Sequence, residues 1–385
     1  MNYVSGNVKN IHYGDIHTKF PTILPISGNK DVPYINDDVD LSRYKDDQFL
    51  QDGDLIIADA SEDYADIGKA IEVKDIDDEK VLAGLHTILA RDEKNMTVNG
   101  FKGYLFLTND LKRNIKRIAN GISVLGISKK NLSKLDVNIP SKNEQQEIVN
   151  LFSSIDKKIE LLEDKHTYYQ DFKKYLMQKI FTQKLRFNKT SEWETYALND
   201  IGKTYNGLSG LSKDNFEKGD SKYITYKSIF DNNILKSDFT ENVELNNKSQ
   251  NEVKKGDLFF TGSSETPEEV GMVSVLDQNV KDCYLNSFCF GFRLNNEVNI
   301  NPLFLAYYLR SPMMRNKIMI LAQGSTRFNL SKKEILKLKI EIPSINEQQQ
   351  VINLFQCVDN KINEISMQTI NFNEFKKGLL QQMFV

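Results

Sequence analysis

The longest regular pattern of apolar positions in the chain lies in residues 139–181. Its apolar side chains recur at steps of three and four, which keeps them on one face of an α-helix and is the spacing of a coiled-coil seam. Pro140 precedes a capping box formed by Ser141 and Glu144, a signal for the first turn of a helix. The pattern predicts one helix of roughly 40 residues, about 60 Å long at 1.5 Å per residue. The seam consists of Ile148, Phe152, Ile155, Ile159, Leu162, Tyr169, Phe172, Leu176 and Ile180.

The same pattern returns without a gap in residues 342–384, so the segment repeats with an offset of 203 from 139 to 342. A polar residue interrupts the stripe at the same point in both copies, His166 in the first and Thr369 in the second. Two helices of equal length and equal stripe most simply pack against each other. The alternative is a pair of ordinary surface helices. The aromatic seam residues that we expect to be structural are Phe152, Phe172, Phe355 and Phe375.

A globular segment of mixed pattern precedes each long helix. Short apolar runs bounded by turn residues predict strands at 10–16, 54–58, 86–90 and 137–139 and a helix at 101–118. Matching motifs recur in the second segment while most other side chains differ, as expected for one scaffold with two different surfaces. We therefore predict an α+β protein with a first domain at 1–139, a long helix at 140–188, a second domain at 189–342 and a long helix at 343–385.

The two globular segments differ at their beginnings. The run KYITYKSIFD from Lys222 matches KNIHYGDIHT from Lys9, but with an offset of 213. This alignment leaves the first segment without a counterpart of residues 193–212. Either the start of the first domain is divergent, or the chain begins inside the repeated pattern, or the C-terminus provides that edge, and the sequence leaves the three explanations open.

Composition and charge are those of an ordinary globular protein, with 40% hydrophobic and 27% charged residues among 385. No apolar run is long enough to span a bilayer, and the N-terminus lacks the apolar core of a signal peptide. We expect a cytoplasmic protein whose three scattered cysteines are reduced. The net charge of −3 conceals basic clusters at 112–134 and at 173–189. Such clusters are typical of a DNA-binding surface and equally typical of a solvated face.

The sequence shows no recognisable catalytic set. It lacks the Asn-Pro-Pro-aromatic motif of an amino-methyltransferase and the Walker loop of a motor protein. Glu72 in an acidic stretch weakly indicates a metal-dependent nuclease, and chance explains it better. His12, Asp15 and His17 could ligate a metal, but on a strand the two histidines would face opposite sides. We predict no catalytic residue and no metal site.

Several segments together resemble the specificity (S) subunit of type I restriction–modification enzymes. They are the IP-x-x-x-EQQ start of each long helix, the helix itself, and the approach GSTRFNLSKKEILKLKIEIP at 324–343. The resemblance covers nearly the whole chain, and its segments occur twice in the right order. It implies two target-recognition domains, each recognising one half of a split asymmetric DNA sequence, with the two helices paired as an antiparallel coiled coil.

The resemblance also implies a set of partners. The chain would be a non-catalytic subunit without a cofactor of its own, docked to two methyltransferase (M) subunits that bind S-adenosylmethionine. Motor-nuclease (R) subunits would join for cleavage, and double-stranded DNA would be the ligand. The competing hypothesis is a coiled-coil scaffold that does not bind DNA.

We expect DNA contacts from glycine turns and from polar side chains near strand ends. Glycine lets the backbone approach closely, and Arg327 can bind guanine or a phosphate in a bidentate manner. The alternative for the glycine turns is a plain connection into the closing strand of each domain. The predicted DNA-binding residues are His12, Tyr13, Ser61, Gly121, Ser123, Lys129, Tyr226, Lys227, Ser263, Gly324, Ser325, Thr326 and Arg327.

Overall fold

The computed structural model of the chain describes residues 1–188, 191–236, 239–245 and 249–384. The chain forms two compact units, Met1–Glu163 with Ser366–Val385, and Asp164–Ile365. The boundary between the units falls inside both long helices, so each unit combines one globular part with a portion of each helix. The predicted domain limits separate globular parts from helices instead. Lys189, where the second domain is predicted to begin, lies outside the described residues.

The first unit combines short strands and short helices ahead of the first long helix. Its elements are β1 (Lys9–Ile11), α1 (Tyr13–Thr18), β2 (Ile23–Pro25), β3 (Leu55–Ala58), β4 (Ala60–Ser61), β5 (Ala70–Lys74), β6 (Val81–Ala83), β7 (Thr87–Ala90), α2 (Phe101–Leu105), α3 (Asn109–Ile118), β8 (Leu125–Gly126), α4 (Lys129–Leu132) and the long helix α5 (Lys142–Phe181).

A four-stranded mixed sheet forms the centre of the first unit, with the strand order β2-β5-β3-β7. β2 is parallel to β5, and β3 is antiparallel to both β5 and β7. All four residues of β3 are buried, because apolar clusters cover both faces of the sheet. Two smaller pairings, β1 with β6 and β4 with β8, complete the unit. β7 is therefore an edge strand of the main sheet.

The second unit repeats this plan and adds elements at its beginning. Its elements are β9 (Glu194–Ala197), α6 (Leu198–Ile201), β10 (Gly202–Asn206), β11 (Phe216–Ile224), α7 (Tyr226–Asp231), β12 (Ile234–Leu235), β13 (Thr240–Val243), β14 (Leu258–Thr261), β15 (Ser263–Ser264), β16 (Val273–Leu276), β17 (Cys283–Leu285), β18 (Cys289–Leu294), α8 (Pro302–Arg310), α9 (Pro312–Ile320), β19 (Ala322–Gln323), β20 (Phe328–Leu330), α10 (Lys332–Leu336), β21 (Lys339–Ile342) and the long helix α11 (Ile345–Met383).

The main sheet of the second unit has the order β10-β18-β14-β16-β12. Strands β12, β16, β14 and β18 correspond in order and direction to β2, β5, β3 and β7. A bidentate ion pair also recurs at the start of the central strand, between Arg91 and Asp54 in the first unit and between Arg293 and Asp257 in the second. β10 is the additional strand, and it covers the edge that β7 leaves open in the first unit.

Each long helix begins where the sequence predicts, but a different side chain fixes the start. The Ser141 and Ser344 hydroxyls accept from the backbone three residues on, at 3.4 and 3.5 Å. Glu347 does not complete a capping box, since its carboxylate binds Arg186. The fully buried Gln348 donates to the Pro343 carbonyl. Its side-chain oxygen accepts from a globular-part amide, as that of Gln145 does in the first unit. The first glutamine of the EQQ motif thus joins each helix to its globular part.

The long helices pack in an antiparallel manner within each unit, as predicted. In the first unit Asp156 of α5 pairs with Lys376 near the end of α11, and in the second Lys173 pairs with Asp359 near its beginning. Phe152 and Phe355 are fully buried in the unit cores. The prediction was wrong for the other two seam phenylalanines: Phe172 is 37% exposed and Phe375 is 54% exposed.

Three secondary-structure predictions in the first unit were also wrong. Residues 10–16 end β1 and enter helix α1 instead of continuing as a strand. Residues 101–118 form two helices, because Thr108 adopts an extended backbone and caps α3. Residues 137–139 form no strand, although their counterparts in β21 pair with β9. None of the helices in the described part of the chain is both long and apolar enough to cross a membrane.

Candidate nucleic-acid interface

The short helix α7 carries the predicted residues Tyr226 and Lys227. The Thr225 side chain caps it by accepting from the Ser228 amide at 3.1 Å. Arg310, on α8, anchors its C-terminal end by donating to the carbonyls of Ile229, Phe230 and Asn232 at 2.6–3.0 Å. Five guanidinium protons on a rigid plane can satisfy several carbonyls at once. Burial lowers the pKa of Arg310 to about 10, which leaves it charged at neutral pH.

Tyr226 lines a cleft of about 390 Å³ together with residues from distant parts of the second unit. Its hydroxyl donates to the Ser263 carbonyl at 2.8 Å, and its ring stacks on Phe230 with 6.2 Å between centroids. Burial raises the pKa of the Tyr226 hydroxyl, so it remains a hydrogen-bond donor at neutral pH. Phe288, which is 56% exposed, also lines the cleft. The cleft thus presents aromatic faces beside polar groups.

The predicted turn Gly324–Arg327 reaches this cleft through Arg327. Gly324 has φ +131°, and a Cβ there would lie 2.1 Å from the Arg327 carbonyl oxygen, so only glycine fits this turn. Arg327 lies over the Phe288 ring, with its guanidinium carbon 5.3 Å from the ring centroid. Ser325 and Thr326 are exposed beside it. The turn is a connection between strands β19 and β20, and it also carries the guanidinium to the mouth of the cleft.

The charges around the cleft are mixed. Arg327 provides positive charge, while Glu265 and Glu269 also line the cleft. Lys227, which follows Tyr226 on α7, is exposed. Glu269 accepts a hydrogen bond of 3.0 Å from the buried Ser264. Carboxylates repel phosphates but can accept from the amino group of cytosine, so this arrangement suits base edges better than backbone alone.

The first unit places an aromatic cluster at the corresponding position. His12 caps helix α1, where its Nδ1 accepts from the Gly14 amide at 3.1 Å. The Tyr13 ring contacts three histidines at centroid distances of 4.5, 5.9 and 5.3 Å, namely His12, His17 and His86. Because α1 is a helix, Tyr13 and His17 lie on one face, so the assumption of a strand was wrong. Three of the four histidines of the chain are thus gathered here.

The remaining predicted residues of the first unit lie at three places. Gly121 has φ +135° in the turn equivalent to that of Gly324, and Ser123 is exposed in the same turn. Ser61 is buried and its hydroxyl binds the backbone of Asp63, which gives it a local structural role. Lys129 is exposed at the start of α4, where it lines an apolar groove that is separate from the aromatic cluster. In the second unit, Ser263 is likewise 8% exposed in β15.

Sequence reasoning missed the aromatic residues that complete each cluster. Phe230 and Phe288 border the cleft of the second unit, and His17 and His86 take their places in the first. The signal was available in the repeat, since the offset of 213 aligns His17 with Phe230. Arg91 and Arg293, the arginines of the two equivalent ion pairs, differ by 202 in number, and this offset aligns His86 with Phe288. Phe288 and His86 are exposed, while Phe230 and His17 are half-buried. Aromatic rings at matched positions on one scaffold indicate two binding surfaces of related design.

Two other hypotheses are changed by the structure. Glu72, the candidate nuclease residue, is fully buried and accepts from the amides of Gly100 and Gly103 at 2.7 and 2.8 Å, with Lys102 at 3.2 Å. Burial raises the pKa of its carboxyl group. Its role is to fix the start of α2. The basic cluster at 173–189 is only partly available to DNA, because Lys173 pairs with Asp359 and Arg186 pairs with Glu347.

A comparison with known protein families identifies the family of this chain. The family described as "Type I restriction modification DNA specificity domain" matches residues 8–167 and 190–371. The chain belongs to this family. It carries two copies of the specificity domain, and each match includes one globular part and much of the long helix that follows it.

Individual members of the specificity family are distantly similar. The type I restriction enzyme MjaVIII specificity subunit of Methanocaldococcus jannaschii is 22% identical over 72% of this chain and 67% of its own length. The putative MjaX specificity subunit of the same organism is 23% identical over 84% of this chain and 74% of its own length. These relatives are specificity subunits by name, and each aligns with most of the present chain.

Solved structures support the same fold. The type I restriction–modification S subunit from M. genitalium has a TM-score of 0.52 at 15% identity, covering 88% of this chain and 85% of that one. A chain from a structure describing assembly and conformational transition of the type I R-M system has a TM-score of 0.57 at 15% identity, covering 87% and 82%. At these identities the likeness concerns the fold alone.

Proposed function

We propose that this chain is the DNA-recognition subunit of a type I restriction–modification complex, in which each unit recognises one half of a split asymmetric target. The observation that carries the proposal is the repeated aromatic cluster beside a glycine turn in two specificity domains. Tyr13 and Tyr226 occupy the same place in both clusters, while the neighbouring rings and turn residues differ. Two sites with one scaffold and different side chains suit two different base sequences.

Within each half-site the roles divide by chemistry. Arg327, Glu265 and Glu269 contact base edges in the major groove. Guanine offers two acceptors to the arginine, and cytosine offers an amino donor to the carboxylates. Lys227 and the exposed turn residues Ser325 and Thr326 contact phosphates, which fix the register without specifying sequence. In the first unit Tyr13, Ser123 and the histidines around Tyr13 take the corresponding place.

The chain acts without catalytic residues of its own and depends on partner subunits. Two methyltransferase subunits, which bind S-adenosylmethionine, dock on the long helices, and motor-nuclease subunits join them for cleavage. Support comes from the apolar side chains that α5 leaves exposed, among them Tyr168 at 65%, Phe172 at 37% and Tyr175 at 55%. Exposed apolar side chains grouped on one element mark a protein-binding surface. Phe172 therefore belongs to a surface for a partner.

The test is co-expression with a methyltransferase subunit in a host that lacks adenine methylation, followed by sequencing that detects modified adenine. The expected result is one split motif with modified adenine in both halves. A stable complex without new methylation would overturn the proposal and favour a scaffold that does not bind DNA. The matched control is the methyltransferase subunit expressed alone, which should produce no motif.

A further inference from the structure

A single arginine joins helix α7 to the main sheet of the second unit. Arg310 donates to three carbonyls at the C-terminal end of this helix, those of Ile229, Phe230 and Asn232. It also donates to the Val273 carbonyl at the start of β16. The last carbonyls of a helix have no partner within the helix, so a cation placed there satisfies them and interacts favourably with the helix dipole. The guanidinium thus fixes where α7 ends.

The first unit has an apolar residue at the position of this arginine. Tyr104 and Tyr307 are equivalent in the repeat, and the same offset of 203 places Leu107 where the second unit has Arg310. Leu107 lies just ahead of Thr108, which caps α3, as Arg310 lies just ahead of the cap of α9. Leucine has no hydrogen-bond donor on its side chain. It therefore leaves the carbonyls at the end of α1 to another residue.

Lys69 provides a positive charge at the end of α1 from a different element. It lies directly before β5, and its ammonium group donates to the His17 carbonyl at 2.6 Å. His17 is the counterpart of Phe230, whose carbonyl accepts from Arg310 at 3.0 Å. The equivalent carbonyl of the short helix is thus bound by a cation in both units.

Met272 is the counterpart of Lys69 in the second unit. The Lys69 carbonyl accepts from the Ala58 amide at 2.9 Å, and the Met272 carbonyl accepts from the Thr261 amide at 3.0 Å, in each case at the end of the central strand. The two positions therefore carry lysine and leucine in the first unit and methionine and arginine in the second. Each unit has one cation and one apolar side chain at these positions, in the opposite arrangement.

We propose that Lys69 is a positioning residue for the first half-site, with the role that Arg310 has in the second. His17 is held at two points, because its carbonyl accepts from Lys69 and its Nε2 lies 3.0 Å from the Ala60 carbonyl. The Tyr13 ring lies edge-on to the His17 ring, with 5.9 Å between centroids. A shift at the end of α1 therefore displaces both rings. This role rests on the proposed function, in which these rings contact the first half-site.

The experiment uses the complex of the full chain with the methyltransferase subunit, in competition binding with targets substituted at each position. Lys69→Met installs the residue of the second unit, and it should weaken target binding about tenfold and reduce base discrimination in one half-site only. Lys69→Arg keeps a charged donor and should retain both properties. Adding Leu107→Arg to Lys69→Met recreates the arrangement of the second unit and should restore them. The matched control is Lys74→Met, at the other, exposed end of β5, which should change neither.

Hydrogen exchange of the chain without DNA, followed by mass spectrometry, tests the anchor independently of recognition. Lys69→Met should accelerate exchange of the α1 amides about tenfold while β3 keeps its protection, and Leu107→Arg should reverse the change. A wild-type complex without sequence preference would overturn the proposed function, while exchange would still decide whether Lys69 anchors α1. Unchanged exchange of α1 in Lys69→Met would overturn the positioning role. So would equal loss of discrimination in both half-sites, or a loss that Leu107→Arg does not restore.

Discussion

Substitution of Arg327 distinguishes base recognition from phosphate binding. Its guanidinium lies over the exposed Phe288 ring at the mouth of the cleft. We expect Arg327→Ala to weaken binding of the complex to its target by about 1–3 kcal/mol and to relax the specificity at one base pair of one half-site. Competition binding with targets substituted at each position measures both effects.

The control for this prediction is Lys333→Ala, which removes an exposed charge from α10 and should change neither affinity nor specificity. If Arg327→Ala instead weakens all sequences uniformly and reduces the salt dependence by about one phosphate contact, the guanidinium binds the backbone. Folding should be unaffected in either case, because the side chain is exposed.

The three cysteines differ sharply in accessibility. Burial raises the pKa of Cys283 to about 11 and of Cys289 to about 12, whereas Cys357 is exposed. The thiolate is the reactive species, so an aromatic disulfide reagent at pH 8 should modify one thiol in the folded chain and three after denaturation. Cys357→Ser should reduce the folded-state count to zero. Rapid reaction of two or more thiols in the folded chain would contradict the burial of the central sheet.

At the scale of elements, one three-residue motif joins each globular part to the helix pair. Tyr104 donates to Asp156 of α5 at 2.9 Å, and Tyr307 donates to Asp359 of α11 at 2.7 Å. A lysine from the other long helix pairs with each aspartate, Lys376 with Asp156 and Lys173 with Asp359. The three members recur at the same offset of 203. Each motif therefore ties three elements together.

We expect Asp156→Ala and Asp359→Ala each to lower the free energy of unfolding by about 1–3 kcal/mol, because each removes a carboxylate that accepts from a buried tyrosine hydroxyl and pairs with a largely buried lysine. Urea denaturation followed by circular dichroism measures the change. The matched control is Glu160→Ala, which breaks an exposed pair with Lys157 on the same helix and should cost less than about 1 kcal/mol. Equal losses for all three variants would show that the motif is not specific.

The long helices and the repeated strands could be predicted because their signals are local. A stripe such as Ile148, Phe152 and Ile155 indicates a helix, and a fully apolar run such as Leu55–Ala58 indicates a buried strand. Helix α1 has six residues and is too short to show a helical period, so it was mistaken for a strand. Val137 and Ile139 alternate as a strand should, yet a strand also needs a neighbour, and that neighbour is a matter of tertiary structure.

The candidate site was predictable only in part, for the same reason. Gly121 and Gly324 are visible in the sequence as turns that require a positive φ, and Tyr13 and Tyr226 are visible through the repeat. Nothing local distinguishes Phe288 from an ordinary apolar residue of a strand end. It becomes part of a cleft because β15, the Gly324 turn and α7 converge on it from segments distant in sequence.

At the scale of the whole molecule, the chain is a duplication whose two copies differ in their aromatic clusters and remain alike where they pack. The Tyr104 and Tyr307 motifs and the buried glutamines are preserved, because each connects a globular part with its helices. The Arg91 and Arg293 ion pairs are preserved at the start of the central strand within each globular part. The aromatic clusters carry different rings. Under the proposed function, recognition and assembly use different residues, so the spacing of the half-sites and their base sequence should vary independently.

Duplication of one heptad in each long helix tests this independence. The duplicated segments are 163–169 in α5, between Asp156 and Lys173, and 363–369 in α11, between Asp359 and Lys376; the pairs Asp156–Lys376 and Lys173–Asp359 have the same antiparallel register in both units. Seven residues at 1.5 Å each add about 10 Å, which corresponds to about three base pairs at 3.4 Å. In the complex with the methyltransferase subunit, sequencing of modified adenine should show a gap longer by about three base pairs with the same bases in both halves. Duplication in α5 alone shifts the paired faces out of register and should abolish methylation, whereas an unchanged gap or altered bases in the double duplication would contradict a spacer role for the helices.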